Sequence, residues 1–290
     1  MKPVNLFLLG AAKCGTTTLA DRLERHSEIE LCAGKEAHFF DSDVIFEKGI
    51  DFYHDMFQPS VGATYRCDAT PAYLACYAKV IPRLIDYLPS GTDSKFIVIL
   101  RNPADRAWSH YQHLRSEGVE ERGFREAIDA ELVAGKSTPE RWRNLYHDGL
   151  YSEQVYAWLR SFDRDRFLFL LYEELFDPAA SQMSQVWDFL RLPPIDTEME
   201  SRRNVMSEVR FRSLIVLLRQ TWIRRMFHRI DSVKRRRFVK LLRRLNRRQI
   251  DPDRRPTLDP GDRDFLLDRY TDDIAMLEKA IDLNVSRWLR

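Results

Sequence analysis

The sequence has no run approaching the roughly 20 consecutive apolar residues that a membrane span needs; Leu214–Leu218 is bracketed closely by Arg212 and Arg219. The apolar opening Val4–Leu9 is too short for the core of a secretory signal and runs straight into a glycine turn, so a soluble, unexported chain is expected. Cysteine is scarce. Cys14, Cys32, Cys67 and Cys76 form no Cys-x-x-Cys pair and have no histidines at zinc spacing, which argues against a metal knuckle or a disulfide framework and fits a reducing cytoplasm. Internal repeats and low-complexity tracts are also lacking, so solenoids and disordered linkers are set aside. Net charge is only +2 over 290 residues, yet the charge is segregated: positions 202–255 carry 19 Lys or Arg against 4 Asp or Glu, leaving 27 against 40 elsewhere.

What is present is an apolar fraction of 44%, enough for a sizeable core. Short β-rich runs alternate with helix-like stretches. Strands are expected at residues 4–9, near 29–32, near 64–68, at Phe96–Leu100 and at Phe167–Leu171, with helices from about 16, from Pro103, over 152–162 and from about 178 to 190. This order predicts an α/β fold with a central parallel sheet flanked by crossover helices. Phe96–Leu100 is wholly apolar, as a strand covered on both faces must be, and is expected to be central. A basic helical insert is predicted over about 209–250, closed by the Pro and Asp cluster at 251–256 before a last helix over 262–280, all within one domain spanning 1–290.

Three patterns carry chemistry. The first strand enters Gly10-Ala11-Ala12-Lys13-Cys14-Gly15-Thr16-Thr17-Thr18, which has the glycine spacing of a phosphate loop; Thr16 follows the second glycine where nucleotide triphosphatases place lysine. Amides of such a turn and the helix N-terminus behind it can hold a phosphate, with Lys13 projecting from within the loop. At the end of Phe96–Leu100, where a magnesium-dependent phosphotransferase would often place a metal-holding aspartate, stands Arg101, and Ser109 follows eight residues on along the helix from Pro103. A guanidinium there binds phosphate directly in a forked geometry, which favours metal-free chemistry. Lys35-Glu36-Ala37-His38-Phe39-Phe40-Asp41 places Glu, His and Asp beside aromatic rings after the second strand. Partial desolvation there is expected to raise the proton affinity of Glu36 and make it a general base. Each pattern alone has an ordinary structural reading: a strand-to-helix turn, a surface Arg and Ser, and a surface turn anchored by Phe39 and Phe40.

Together they resemble the sulfotransferase family, especially the branch with glycosaminoglycan sulfotransferases and many bacterial enzymes, over nearly the whole chain. The Lys13 loop is similar to that family's 5′-phosphosulfate motif, and Leu100–Pro103 through Arg106–Tyr111 to its 3′-phosphate motif. Lys35–Phe40 is similar to the segment bearing its catalytic glutamate, and Thr70-Pro71-Ala72-Tyr73 to a substrate-side segment. Gly149–Tyr151 and Ser286–Trp288 also fit. The resemblance implies 3′-phosphoadenosine 5′-phosphosulfate (PAPS) as donor, 3′-phosphoadenosine 5′-phosphate (PAP) as product, and no metal. By it, Lys13, Cys14, Gly15, Thr16, Thr17 and Thr18 enclose the phosphosulfate, Arg101 and Ser109 hold the 3′-phosphate, and Arg202 or Arg203 adds a cofactor contact. Glu36 is the base, Lys13 stabilises the leaving oxygen, and His38 and Asp41 orient base or acceptor beside Ala69 and Tyr73. Heparan-type relatives have a lysine where Ala69 stands and an arginine at Thr17, so two cationic contacts to a sulfated glycan are missing.

The implied acceptor is a hydroxyl of a small molecule, glycan or glycolipid, with an amine as second choice. A phosphate-loop kinase or nucleotide hydrolase, and a non-catalytic anion-binding protein docked to membranes, are the competing readings. Between Arg219 and Arg248, apolar residues at three- and four-residue steps alternate with dense cations. Such a segment suits an anionic membrane surface at the inner face of a membrane, an acidic acceptor, or a plain scaffold helix; without a reader motif, nucleic acid is not expected.

Overall fold

The computed structural model describes residues 3–57, 62–89, 91, 93–135, 144–175, 182–195, 207–209, 247–249 and 256–290. Five parallel strands, β1 (Leu6–Gly10), β2 (Ile29–Leu31), β3 (Tyr65–Asp68), β4 (Lys95–Leu100) and β5 (Phe167–Leu171), form one sheet in the order β2-β3-β1-β4-β5. The helices are α1 (Thr16–Leu23), α2 (Asp43–Phe46), α3 (Gly49–His54), α4 (Ala72–Ala75), α5 (Tyr77–Tyr87), α6 (Pro103–Ser116), α7 (Phe124–Ala134), α8 (Tyr151–Ser161), α9 (Tyr172–Leu175), α10 (Gln182–Leu190) and α11 (Pro260–Ile281). The expected α/β architecture is therefore present. β1 holds the middle of the sheet, and β4 lies between β1 and β5. β4 is still buried at every residue, as its apolar sequence requires, because helices cover both faces.

From β1 the chain first builds one side of the sheet, through β2 and β3, and then crosses to build the other through β4 and β5. Connections leave in opposite directions around the carboxyl end of β1, where open α/β sheets place their ligand crevice. Aromatic rings fill the core beside it: Phe7 stacks on Phe96 at 5.7 Å, and Phe96 on Phe167 at 4.8 Å.

The C-terminal region braces the same end of the sheet. Gly149 has no room for a Cβ, which would meet the Tyr270 hydroxyl at 2.6 Å. Asp273 of α11 accepts from the Tyr151 and Ser152 amides and so satisfies donors at the start of α8. Trp288 is buried, and its carbonyl accepts from Asn102 Nδ2 at 3.1 Å. These contacts give structural content to the Gly149–Tyr151 and Ser286–Trp288 segments.

Ser207–Val209 (β6) and Arg247–Gln249 (β7) pair antiparallel. The ends of the basic insert are thus extended at Val209 and at Arg247–Arg248, where helix was expected; its interior, like Arg202 and Arg203, lies outside the described residues. Among the described residues no helix is long and apolar enough to cross a membrane, and no group of three or more His, Cys, Asp or Glu is arranged to hold a metal ion.

Candidate active site

The carboxyl ends of β1, β2, β3 and β4 all contribute here. At the end of β1 the chain turns so tightly that a Cβ on Gly10 would lie 2.7 Å from Leu74 Cβ and 2.9 Å from the Pro71 carbonyl. Ala11 N–H donates to the Ile99 carbonyl at 2.7 Å, tying the loop to β4. Gly15 starts α1 with φ 87°, and a Cβ there would press on Tyr172 and Leu175 at 3.1 Å, so this position requires glycine twice over. Lys13 holds φ 72°, Lys35 φ 75° and His38 φ 50°. Left-handed backbone at three non-glycine residues costs about 1 kcal/mol or more each, and such strain collects where side-chain aim matters.

Lys13 is half-buried. Burial, and after it the Arg101 charge, lowers its pKa to about 8. Arg101, at the end of β4, donates from Nη1 to the Lys13 carbonyl at 3.4 Å and lies 4.4 Å over the Tyr172 ring. The two phosphate motifs are thus brought together. Asn102 caps α6, its side chain accepting from Ala104 N at 3.0 Å, and Pro103 follows at the first helical position, so the chain turns directly from β4 into the helix that carries half-buried Ser109. Cys14 is fully buried, and its thiol is pushed up to about 11 by burial, so any contact with an anion falls to its backbone; in this structure that N–H donates to Ala11 at 3.2 Å. Thr16 is buried, while Thr17 and Thr18 are half-buried at the start of α1.

Glu36 is 36% exposed and bridges two cations: Lys35 Nζ at 2.8 Å on Oε1 and His38 Nε2 at 3.3 Å on Oε2. His38 Nδ1 reaches Asp41 Oδ2 at 3.0 Å. Burial pushes the Glu36 carboxyl up, as the sequence suggests, but the hydrogen bond from His38 and the charge and hydrogen bond of Lys35 outweigh it and bring the group down to about 2. The expected rise in proton affinity is therefore reversed. Hydrogen bonds to Asp41 and Glu36 raise His38 to about 10 against burial. The Glu36 interactions stabilise the fold above its unfolded pKa of roughly 4.3 and are lost as pH falls toward 2; those of His38 are complete below roughly 6.5 and lost as pH rises through 10.

The turn bearing these groups is pinned from beneath by Asp68, fully buried at the end of β3. Asp68 accepts from Thr70 Oγ1 at 2.6 Å, the Tyr73 hydroxyl at 2.8 Å and the Tyr53 hydroxyl at 3.0 Å. Thr70 accepts from His38 N, and the Tyr73 oxygen accepts from Phe39 N and Phe40 N. Tyr73 and Ala69 are both 0% exposed. The resemblance places them on the acceptor side; the Tyr73 hydroxyl is engaged in internal bonds to Asp68, Phe39 and Phe40. The sequence reading gave no role to Asp68 or Lys35. For Lys35 the signal available was its place between Gly34 and Glu36; for Asp68, which precedes Ala69 and Thr70, burial of a charged strand end is not visible in sequence.

The sulfotransferase domain family matches residues 3–214. Heparan sulfate glucosamine 3-O-sulfotransferase 6 of Homo sapiens is 30% identical over 191 residues, covering 66% of this chain and 53% of that protein. Bifunctional heparan sulfate N-deacetylase/N-sulfotransferase 2 of Homo sapiens is 30% identical over 199 residues, covering 64% of this chain and 22% of that protein. The chain spans about half the length of the first curated relatives it matches. A crystal structure of a sulfotransferase from Alicyclobacillus acidocaldarius matches with a TM-score of 0.70 and 25% identity, covering 100% of both chains.

Proposed function

The chain belongs to the sulfotransferase family, and from that premise we propose that it transfers a sulfuryl group from PAPS to a hydroxyl of a small-molecule, glycan or glycolipid acceptor, with Glu36 receiving the hydroxyl proton. The observation that carries this reading is the meeting of Lys13, Arg101 and the start of α1 at the carboxyl end of the sheet, beside an ionised carboxylate in the loop after β2. The residues fit the donor. Lys13 is depressed by burial and by Arg101, a crowding of positive charge that a bound phosphate relieves. When bound, the donor supplies a sulfur bonded to a phosphate oxygen as leaving group. As the acceptor oxygen bonds to sulfur and the bond from sulfur to the phosphate oxygen breaks, Lys13 supplies positive charge where the leaving oxygen gains its electron pair, and Glu36 takes the acceptor proton. Arg101 and Ser109 hold the 3′-phosphate, and His38 and Asp41 fix the Glu36 carboxylate.

The heparan sulfate named in the relatives is carried over only as far as a hydroxyl-bearing glycan, because position 69 is a buried alanine and position 17 a threonine. A screen of acceptors with radiolabelled PAPS tests the reading: label transferred without added metal supports it, and transfer from adenosine triphosphate in its place would restore the kinase reading. On an identified acceptor, kcat/KM for donor is expected to fall as pH rises through about 8, where Lys13 loses its charge, and Lys13→Arg is expected to move that limb upward. An alkaline limb unmoved by the arginine would remove Lys13 from this role.

For residues 219–248 we keep the proposal of docking to anionic lipid at the inner face of a membrane, supported by the cation density of the sequence. Replacing Arg235, Arg236, Arg243 and Arg244 with serine is expected to weaken binding to phosphatidylserine vesicles at low salt, since each cation near such a surface contributes about 1 kcal/mol. A parent protein that ignores these vesicles ends the proposal.

A further inference from the structure

We infer that Lys35 is a second phosphate-binding cation of the donor site, held on Glu36 in the free protein and moved onto the donor's 5′-phosphosulfate when donor binds. The inference rests on the donor reading above and adds a residue to it. Lys35 comes from the loop after β2, yet its Nζ donates to Thr17 Oγ1 at 3.2 Å and lies 3.5 Å from Thr16 Oγ1, both in the first turn of α1. The side chain is 16% exposed, so the ammonium is turned inward across the crevice. Thr17 and Thr16 stand directly behind Gly15, where the free amides of a helix start present positive charge to an anion. An ammonium brought to that same place adds to the positive charge there. Its charge also contributes, as the smallest of the named causes, to depressing Lys13, so the two ammonium groups act on one neighbourhood.

Held this way, Lys35 has one anionic partner among the described residues, the Glu36 carboxylate at 2.8 Å. A phosphate at the start of α1 is a stronger competitor, carrying more charge and further acceptors. Exchange of Lys35 from Glu36 to phosphate removes one of the two cations that keep Glu36 weakly basic, and the carboxylate becomes a better proton acceptor once donor is in place. The left-handed backbone of Lys35, next to Gly34 at φ 84°, gives the side chain its inward aim, which a β-conformation at that residue would redirect.

The test is calorimetric. Lys35→Met is compared with the parent for PAP and for adenosine 3′-phosphate, which keeps the phosphate assigned to Arg101 and Ser109 and lacks the one assigned to Lys35. The variant is expected to bind PAP at least about tenfold more weakly and adenosine 3′-phosphate as the parent does, with Lys35→Arg recovering most of the PAP affinity. Equal loss for both nucleotides would mean a general collapse of the site and overturns the inference, as does unchanged PAP binding by Lys35→Met. A parent protein that binds neither nucleotide overturns the donor reading itself, whereas a parent that binds PAP alongside an unaffected variant removes Lys35 alone.

Discussion

Glu36→Gln is expected to bind PAP at least as tightly as the parent and to turn over a hydroxyl acceptor about 10²-fold or more slowly, the usual scale of positioned base catalysis. The amide is nearly isosteric, so the aim of the turn, set by Asp68, Thr70 and Tyr73, should survive. Two charges change partners. Lys35 loses the carboxylate at 2.8 Å and becomes freer to meet phosphate, which is why product binding should hold or tighten. His38 loses one of the two carboxylates that raise it to about 10, so its pKa should fall while Asp41 still holds Nδ1. The pH profile separates this role from a structural one. In the parent, before donor binds, Glu36 is ionised through the whole neutral range, so its protonation should not limit kcat/KM for donor until pH nears 2. A carboxylate that weakly basic still serves if its cationic partners are drawn away during reaction, which donor binding at Lys35 would do. Single-turnover measurement isolates the transfer step, and an unchanged rate there would remove Glu36 as the base.

The elements most legible in the sequence were those whose physics is local. Phe96–Leu100 and Phe167–Leu171 are apolar at nearly every position because helices cover both faces, and they became adjacent parallel strands in register from Phe96 with Phe167 to Leu100 with Leu171. The loop from Gly10 to Thr18 was legible because a strand, two glycines and a helix start are contiguous in the chain. Strand order was not, since it depends on which crossover packs on which side; the apolar run marks β4 as an interior strand but does not say that β1 and β5 are its neighbours. Lys35 was hidden for the same reason: its contact with Thr17 spans 18 residues and exists only because β2 and β1 end on one edge of the sheet. The sign of the Glu36 shift was hidden because it is a difference between burial and two cations, and only distances decide which wins. Tyr73 shows the same limit: its segment is recognisable, but the direction of its hydroxyl, toward Asp68, is a property of packing.

Arg101→Ala is expected to weaken PAP binding by roughly 10- to 150-fold, the equivalent of about 1.5–3 kcal/mol for one charge-assisted phosphate contact. The guanidinium already has partners within the protein. It lies 4.4 Å over the Tyr172 ring and donates to the Lys13 carbonyl, so little side-chain freedom is lost when a phosphate arrives. The backbone beneath it is fixed as well, by the Tyr151 hydroxyl donating to the Arg101 carbonyl at 3.0 Å and by Glu173 accepting from Asn102 N at 2.9 Å. Removing the side chain should therefore delete a phosphate partner without moving β4 or α6. Adenosine 5′-phosphate, which lacks the 3′ group, should bind the parent more weakly than PAP and should lose little further affinity in Arg101→Ala. One coupled effect works in the opposite direction: Arg101 helps depress Lys13, so its loss should raise the Lys13 pKa from about 8 and strengthen the ammonium that faces the 5′-phosphate at alkaline pH. Arg101→Lys keeps the charge but not the fork, and intermediate PAP affinity is expected from it. The pattern is the mirror image of that for Lys35→Met, which should spare adenosine 3′-phosphate. Equal affinity of the parent for PAP and adenosine 5′-phosphate would overturn the assignment of Arg101 and Ser109 to the 3′-phosphate.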